Sequence, residues 1–164
     1  MSSELPPGAA GSVRVAPARR EDCRYVWTVN NDPSVRAQSV ETGDIPWEGH
    51  VRWFEKQLAR GDGRLLVAFA GDERVGVARF DVEGGDATIS LAVDAQRRGQ
   101  GVGKAIVKLV TEAAFARPEV RRAVAFTRPD NLASQRAFLG NGYRAAGQSS
   151  IGSVVLLRFE KDRG

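Results

Sequence analysis

Two periods of hydrophobic and polar residues alternate along the chain. In 87–93, Ile89, Leu91 and Val93 fall on one face and Thr88, Ser90 and Ala92 on the other, the two-residue period of a strand. Beyond it, Val102, Ile106, Leu109, Val110 and Ala113 recur at three- and four-residue spacing, which predicts a helix over 102–116. Between the two lies Gln96-Arg97-Arg98-Gly99-Gln100-Gly101-Val102-Gly103, a strand-to-helix turn with glycines at alternate positions. Glycine lets the backbone adopt conformations closed to other residues and come close to a ligand. The first turn of a helix offers N–H groups without intrahelical partners and the positive end of a dipole, a place suited to phosphate or pyrophosphate.

The same reading extends in both directions. A weakly alternating strand over 12–16 is closed by Pro17, and 21–29 reads as a helix with Tyr25, Val26 and Val29 buried. Asn30-Asn31-Asp32-Pro33 breaks it, and Pro33 is placed to begin another short helix. A helix over 47–60 carries Val51, Phe54 and Leu58 in one stripe, with Trp47 and Trp53 nearby. Strands over 64–70 and 74–81 are joined at Gly71-Asp72, with Val75 and Val77 expected to face away from Gly76 and Ala78. Gly84-Gly85 turns the chain into 87–93. After Pro118 come a strand over 123–127, a short helix over 131–139 closed by 140–142, and strands over 143–146 and 154–159. A strand–helix–strand unit of this length implies a parallel, right-handed crossover. The expected fold is α/β with a mixed sheet, in the order β-α-α-β-β-β-α-β-α-β-β.

Composition narrows the function classes. The chain has 164 residues, 42% of them hydrophobic, enough for one compact domain over 12–164. Residues 1–11, rich in Ser, Pro, Gly and Ala, read as a flexible tail without the charged and apolar regions of a signal peptide. No apolar run approaches the roughly 18 residues of a membrane span. Cys23 is the single cysteine and His50 the single histidine, which argues against a disulfide or a metal cluster and for a cytoplasmic protein. The net charge of +4 is spread rather than striped, so no nucleic-acid partner is expected. Monomer and homodimer both remain open.

The turn lacks the Gly-Lys-Ser/Thr ending of a P-loop, and its glycines do not match the dinucleotide fingerprint. Gln96-Arg97-Arg98-Gly99-Gln100-Gly101 instead resembles the acetyl-CoA loop of the GNAT acetyltransferases, Gln/Arg-x-x-Gly-x-Gly/Ala. A second stretch agrees with it: Asn131, Ser134, Phe138, Gly142 and Tyr143 stand where that family shows Asn-x-x-Ala/Ser-x-x-x-Tyr-x-x-x-Gly-Phe/Tyr. Asn131 is also suited to cap the helix it precedes. The resemblance implies the GNAT fold and acetyl-CoA as co-substrate. The implied coenzyme site is Leu91, Ala92, Val93, Gln96, Arg97, Arg98, Gly99, Gln100, Gly101, Val102, Gly103, Asn131, Ser134 and Phe138. Phe138 departs from the pattern, since the family's tyrosine there is placed to protonate the leaving thiolate.

Direct transfer to a neutral amine is the implied mechanism. The acyl carbonyl would lie between the strands ending at Val93 and Thr127, polarised by backbone N–H groups around Leu91–Val93. An amine of pKa about 8 or more needs a base. His50 suits the task by its intrinsic pKa, and Ser90 could relay to a water. Glu41, Asp44 and Glu48 lie in the same covering segment, whereas Asp86 is at the far end of its strand.

Asn31-Asp32-Pro33-Ser34-Val35-Arg36, followed by His50-x-x-Trp53-Phe54 and Leu58, resembles the acetyltransferases of pseudaminic acid biosynthesis, with Asn30 in place of their usual Arg. That resemblance implies a small-molecule acceptor, the 4-amino group of a nucleotide-linked amino sugar. The alternatives are a ribosomal-protein-type N-terminal acetyltransferase, another small-amine acetyltransferase, and a non-catalytic acetyl-CoA-binding domain.

Overall fold

The computed structural model describes residues 12–164; the tail read over 1–11 lies outside them. Strand β1 (Val13–Pro17) leads into helices α1 (Cys23–Asn30), α2 (Pro33–Gln38) and α3 (Trp47–Arg60). A meander follows, β2 (Leu65–Ala70), β3 (Glu73–Glu83) and β4 (Asp86–Val93). Helix α4 (Val102–Phe115) crosses to β5 (Arg122–Thr127), and α5 (Leu132–Leu139), β6 (Arg144–Ile151) and β7 (Val154–Asp162) complete the chain. The strands form one sheet in the order β1-β2-β3-β4-β5-β7-β6. Only β4–β5 is parallel, as the crossover through α4 requires. The short helix α2, which the expected order does not count, begins at Pro33 as the sequence suggests, at a position where the missing N–H is no loss. Asp32 caps it by accepting from the Ser34 N–H at 2.9 Å.

Both faces of the sheet are covered, so the central strands are buried on both sides. On one face Val102, Ile106, Val107 and Val110 of α4 pack with Leu66, Ala68, Ala78, Phe80 and Ile89. On the other, Val26 and Val29 of α1 and Phe54 of α3 pack with Leu65, Val67, Val77 and Ala92. The alternation along β4 splits as expected, Ile89, Leu91 and Val93 toward α4 and Ala92 toward α1 and α3.

Strand β3 differs from its expected pattern. Val75 and Val77 do not share a face: Val75 packs with Ala78 under α4, and Val77 joins the α1–α3 side. The register shifts where Ala68 pairs Gly76 and Phe69 pairs Arg74, leaving Val75 as the extra residue of a bulge. Gly76 beside it is sterically required, since a Cβ there would lie 2.8 Å from the Ala92 carbonyl oxygen and 2.8 Å from Ile106 Cδ1.

Gly76→Ala is expected to destabilise the fold by about 1–3 kcal/mol, the scale of forced overpacking. Gly43→Ala, where a Cβ meets nothing within 4 Å, should leave stability unchanged. Denaturant unfolding of the two variants checks the contrast.

Candidate active site

The site begins where two neighbouring strands part. β4 and β5 pair from Asp86–Arg122 only as far as Ile89–Ala125. Beyond that point β4 stays with β3 as far as Val93–Gly76, and β5 stays with β7 as far as Thr127–Leu157. The Asp94 N–H donates to the Val75 carbonyl at 3.0 Å, so the peptide at 94 faces β3. Backbone groups alternate sides along a strand, so Leu91 and Val93 face the opposite way, into the gap β5 has left. Two backbone N–H groups thus point into one opening, the arrangement that holds a developing oxyanion.

A groove of about 910 Å³ runs through this opening. It brings together His50, Ser90, Leu91, Ala92, Val93, Arg98, Gly103, Asn131, Ser134 and Phe138 from the sequence-predicted set. The sheet divides it. Gly103, Asn131, Ser134 and Phe138 approach from the α4–α5 side, and Asn30, Arg36, Glu41, His50 and Trp53 from the α1–α3 side.

The glycine turn lies between Arg98 and Gly103, which both line the groove. Gly99 and Gly101 have φ of 76° and 79°, the left-handed region that favours glycine. Gly101 is the N-cap of α4, so the orphan N–H groups of the first helical turn open beside the groove. The other lead-in residues build the turn and do not line the groove. Arg97, expected to reach the coenzyme, turns inward: its guanidinium pairs with Glu73, and its N–H donates to the Asp94 carbonyl at 2.8 Å. The Gln96 N–H is taken by Asp94 Oδ1 at 3.1 Å, and the Gln96 carbonyl accepts from Gln100 Nε2 at 3.3 Å. The Val102 side chain is buried in the core under α4. Arg98 points the other way, donating to the Val93 carbonyl at 3.3 Å and to Ser34 Oγ.

On the helix that covers β5, Asn131 Oδ1 accepts from the Ser134 N–H at 3.3 Å, capping α5 as its sequence position suggests. Phe138 packs edge-on against Tyr143 and stacks on Phe159, an apolar anchor without a proton to give. The Tyr143 hydroxyl is occupied by Thr111 Oγ1 at 2.6 Å, and burial pushes its pKa up to about 12.

Among the lining residues that the sequence reading gave no site role are Arg36, Arg79 and Thr127. Arg79 stands directly across from Ser90 in the β3–β4 register, with its guanidinium 5.6 Å from the Trp53 ring centroid. Only the strand pairing reveals this, because an arginine in an alternating strand otherwise reads as a solvated face. Asp81 lies 3.4 Å from Arg79 Nε but without hydrogen-bond geometry. The covering segment is tied down from across the groove, where Arg128 Nε donates to the Ser39 carbonyl at 3.0 Å. Glu41 lines the groove, whereas Asp44 and Glu48 do not, and Asp86 is held by Arg122 at 2.9 Å.

His50 is more enclosed than its place near the start of α3 suggests. It is 3% exposed and lies among Trp47, Trp53 and Phe54, with ring centroids 5.7–5.8 Å away. Its Nε2 is 2.8 Å from the Cys23 carbonyl oxygen. A carbonyl only accepts, so Nε2 carries the proton and Nδ1 keeps the lone pair. Burial lowers the His50 pKa, only partly offset by that hydrogen bond. The unfolded chain therefore takes up this proton first on acidification, so the stability held above pH about 6.5 falls as pH drops toward the folded-state pKa. The melting temperature should fall between pH 7.5 and 5.5, and His50→Gln should show a smaller fall over that interval. Equal falls in thermal scans of the two proteins would show that another group is responsible.

A family model described as Acetyltransferase (GNAT) domain matches residues 13–144. No curated protein matches the chain. Among solved structures, the aminoglycoside acetyltransferase AAC(6')-Ib in complex with coenzyme A is 18% identical, with a TM-score of 0.78 over 93% of this chain and 95% of that one. The spermidine N-acetyltransferase from Vibrio cholerae, in complex with CoA and spermine, is 12% identical, with a TM-score of 0.80 over 93% and 96%. RimL, a ribosomal L7/L12 alpha-N-protein acetyltransferase in complex with coenzyme A, is 17% identical, with a TM-score of 0.77 over 92% and 94%. At these identities the structures speak for the fold. The family model spans every element that builds the groove except the β6–β7 hairpin, and the chain belongs to the GNAT family of acetyl-CoA-dependent N-acetyltransferases.

Proposed function

We propose that this N-acetyltransferase moves the acetyl group of acetyl-CoA to a primary amine on an anionic small molecule, a nucleotide-linked amino sugar. The observation that carries the reading is the charge of the acceptor half of the groove. Arg36 and Arg79 line it against one carboxylate, Glu41. Arg36 Nε is buried without a hydrogen-bond partner, a donor left for a ligand. Arginine presents a planar fork of donors matched to phosphate and carboxylate. A polycation such as spermine, bound by one of the structural relatives, would meet like charge here. Trp53 adds a flat apolar wall of the kind that packs against a sugar or base ring.

The other half fits the coenzyme. The turn at Gly99–Gly101 and the first turn of α4 supply N–H groups for a pyrophosphate. Leu91 and Val93 supply N–H groups for the thioester carbonyl. Ser90, on the acceptor face opposite Arg79, marks where the amine approaches. His50, with its lone pair on Nδ1, serves as base directly or through a water held by Ser90. Its lowered pKa keeps it unprotonated at neutral pH. The guanidinium of Arg79 beside this point disfavours the ammonium form of the acceptor, which eases the demand on a weak base.

Acetyl-CoA should raise the melting temperature by mass action, and Gly101→Val should abolish most of that increment in a protein that still unfolds cooperatively. An unchanged increment would remove the loop from the coenzyme site.

An acceptor screen reading free CoA thiol should respond to a nucleotide-linked amino sugar and not to spermine or a peptide amine. Arg79→Met should then raise the acceptor KM by about tenfold or more while leaving coenzyme affinity unchanged, the cost of one charged hydrogen bond. Thiol release with peptide amines alone would instead place the chain among protein N-terminal acetyltransferases.

A further inference from the structure

We propose that Thr127 donates the hydrogen bond that holds the leaving sulfur of the coenzyme. Thr127 is the last residue of β5, two positions past the point where β4 and β5 part. It is 4% exposed, lines the groove, and its Oγ1 has no hydrogen-bond partner. A buried hydroxyl without a partner costs stability, and here it sits in the opening where the thioester is expected. By strand alternation its side chain shares a face with Ala123 and Ala125, the face packed by α4 and α5. That is the coenzyme half of the groove. Phe138, which lines the same half, has nothing to donate. The other polar side chains on that side, Asn131 and Ser134, belong to the start of α5, where Asn131 Oδ1 accepts from the Ser134 N–H, whereas Thr127 stands on β5 itself, at the gap.

The chemistry asks for such a donor. The amine lone pair forms a C–N bond to the acetyl carbon, the C–S bond breaks, and its electron pair stays on sulfur. The proton lost from nitrogen goes to the base or to water. The thiolate accepts a hydrogen bond from the Thr127 O–H, which keeps its proton, and the sulfur takes up a proton from solvent on release. A hydroxyl of this kind stabilises the charged sulfur more than the neutral thioester, so its effect falls on the transition state.

This inference rests on the groove being the coenzyme site, and the test separates the two. The probes are CoA and desulfo-CoA, which lacks the sulfur, titrated by calorimetry from pH 7 to pH 9.5. A thiol ionises near pH 8.5. In the wild type the affinity ratio of CoA to desulfo-CoA should rise by about tenfold or more across that range, the scale of a hydrogen bond to a charged group. Thr127→Ser keeps the hydroxyl and should keep the rise, whereas Thr127→Val should flatten it while binding desulfo-CoA like the wild type. The melting temperature of ligand-free Thr127→Val should hold or increase, because the change removes an unsatisfied hydroxyl at nearly constant shape. Equal rises in all three proteins, or a flat ratio in the wild type, would overturn the role of Thr127 with the coenzyme site intact. Failure of the wild type to bind either CoA or desulfo-CoA would overturn both.

Discussion

The site depends on the separation of β4 from β5 after Ile89 and Ala125. Each strand keeps its outer partner: β3 holds β4 to its end, and β7 holds β5. Neither can bend back to close the gap without breaking that ladder. The opening therefore persists in a sheet that is otherwise continuous, at the cost of backbone groups left unpaired inside the fold. Unpaired buried peptide groups are rare because they forfeit the hydrogen bonds they make with water. Those of Leu91 and Val93 are arranged for a partner the chain does not itself supply, apart from the Val93 carbonyl, which Arg98 takes.

The two-sided core gives the opening its two entrances. α4 and α5 cover one face, and α1, α2 and α3 frame the other, so a ligand entering from each side meets different chemistry. The glycine turn and helix N-terminus lie on the first side, and the arginines, Trp53 and His50 on the second. The halves are also tied together. Arg98 of the turn reaches Ser34 at the start of α2, and Arg128, just past β5, holds the segment after α2 by the Ser39 carbonyl. Both ties fix main chain or a short side chain on the far side, which sets the width of the groove.

Much of this was legible in the residue pattern, and the physical reasons separate what was from what was not. The strands and helices followed from periods of two and of three to four, and the coenzyme reading of the glycine turn from its resemblance to the GNAT acetyl-CoA loop. The bulge at Val75 was hidden, since one unpaired residue shifts the alternation in a way only the partner strand records. Arg97 illustrates a second limit. The turn needs an arginine at that place for the ion pair with Glu73 beneath it, while its neighbour Arg98 faces the groove; sequence proximity does not tell inward from outward in a non-periodic loop. Arg79 and Thr127 were missed for a third reason. One sits on a strand that reads as half solvated and the other at the end of an apolar run, and each gains its position from pairing between distant segments.

The distribution of unsatisfied polar atoms ties these observations into one argument. Away from the groove, Asp22 accepts from Arg74 Nε and from the Arg19 N–H, and Thr111 meets Tyr143. Among the described residues, the buried side-chain atoms without a hydrogen bond fall into two groups. Those of Asp62, Arg64 and Arg97 belong to side chains already engaged in ion pairs. The rest are Arg36 Nε, Gln38 Oε1, Arg79 Nε beside the Asp81 carboxylate, and Thr127 Oγ1, and all four residues line the groove. Apart from the ion-paired side chains of Asp62, Arg64 and Arg97, the unmet hydrogen bonds thus lie along a single path. That path carries cationic donors at its acceptor end and a neutral hydroxyl where the strands part. That polarity supports the proposed anionic acceptor on the α1–α3 side and the proposed hydrogen bond to a sulfur that becomes charged only as the C–S bond breaks. One constraint, the parted strands, thus accounts for the place of the opening, and the polar groups left open around it give its two ends different chemistry.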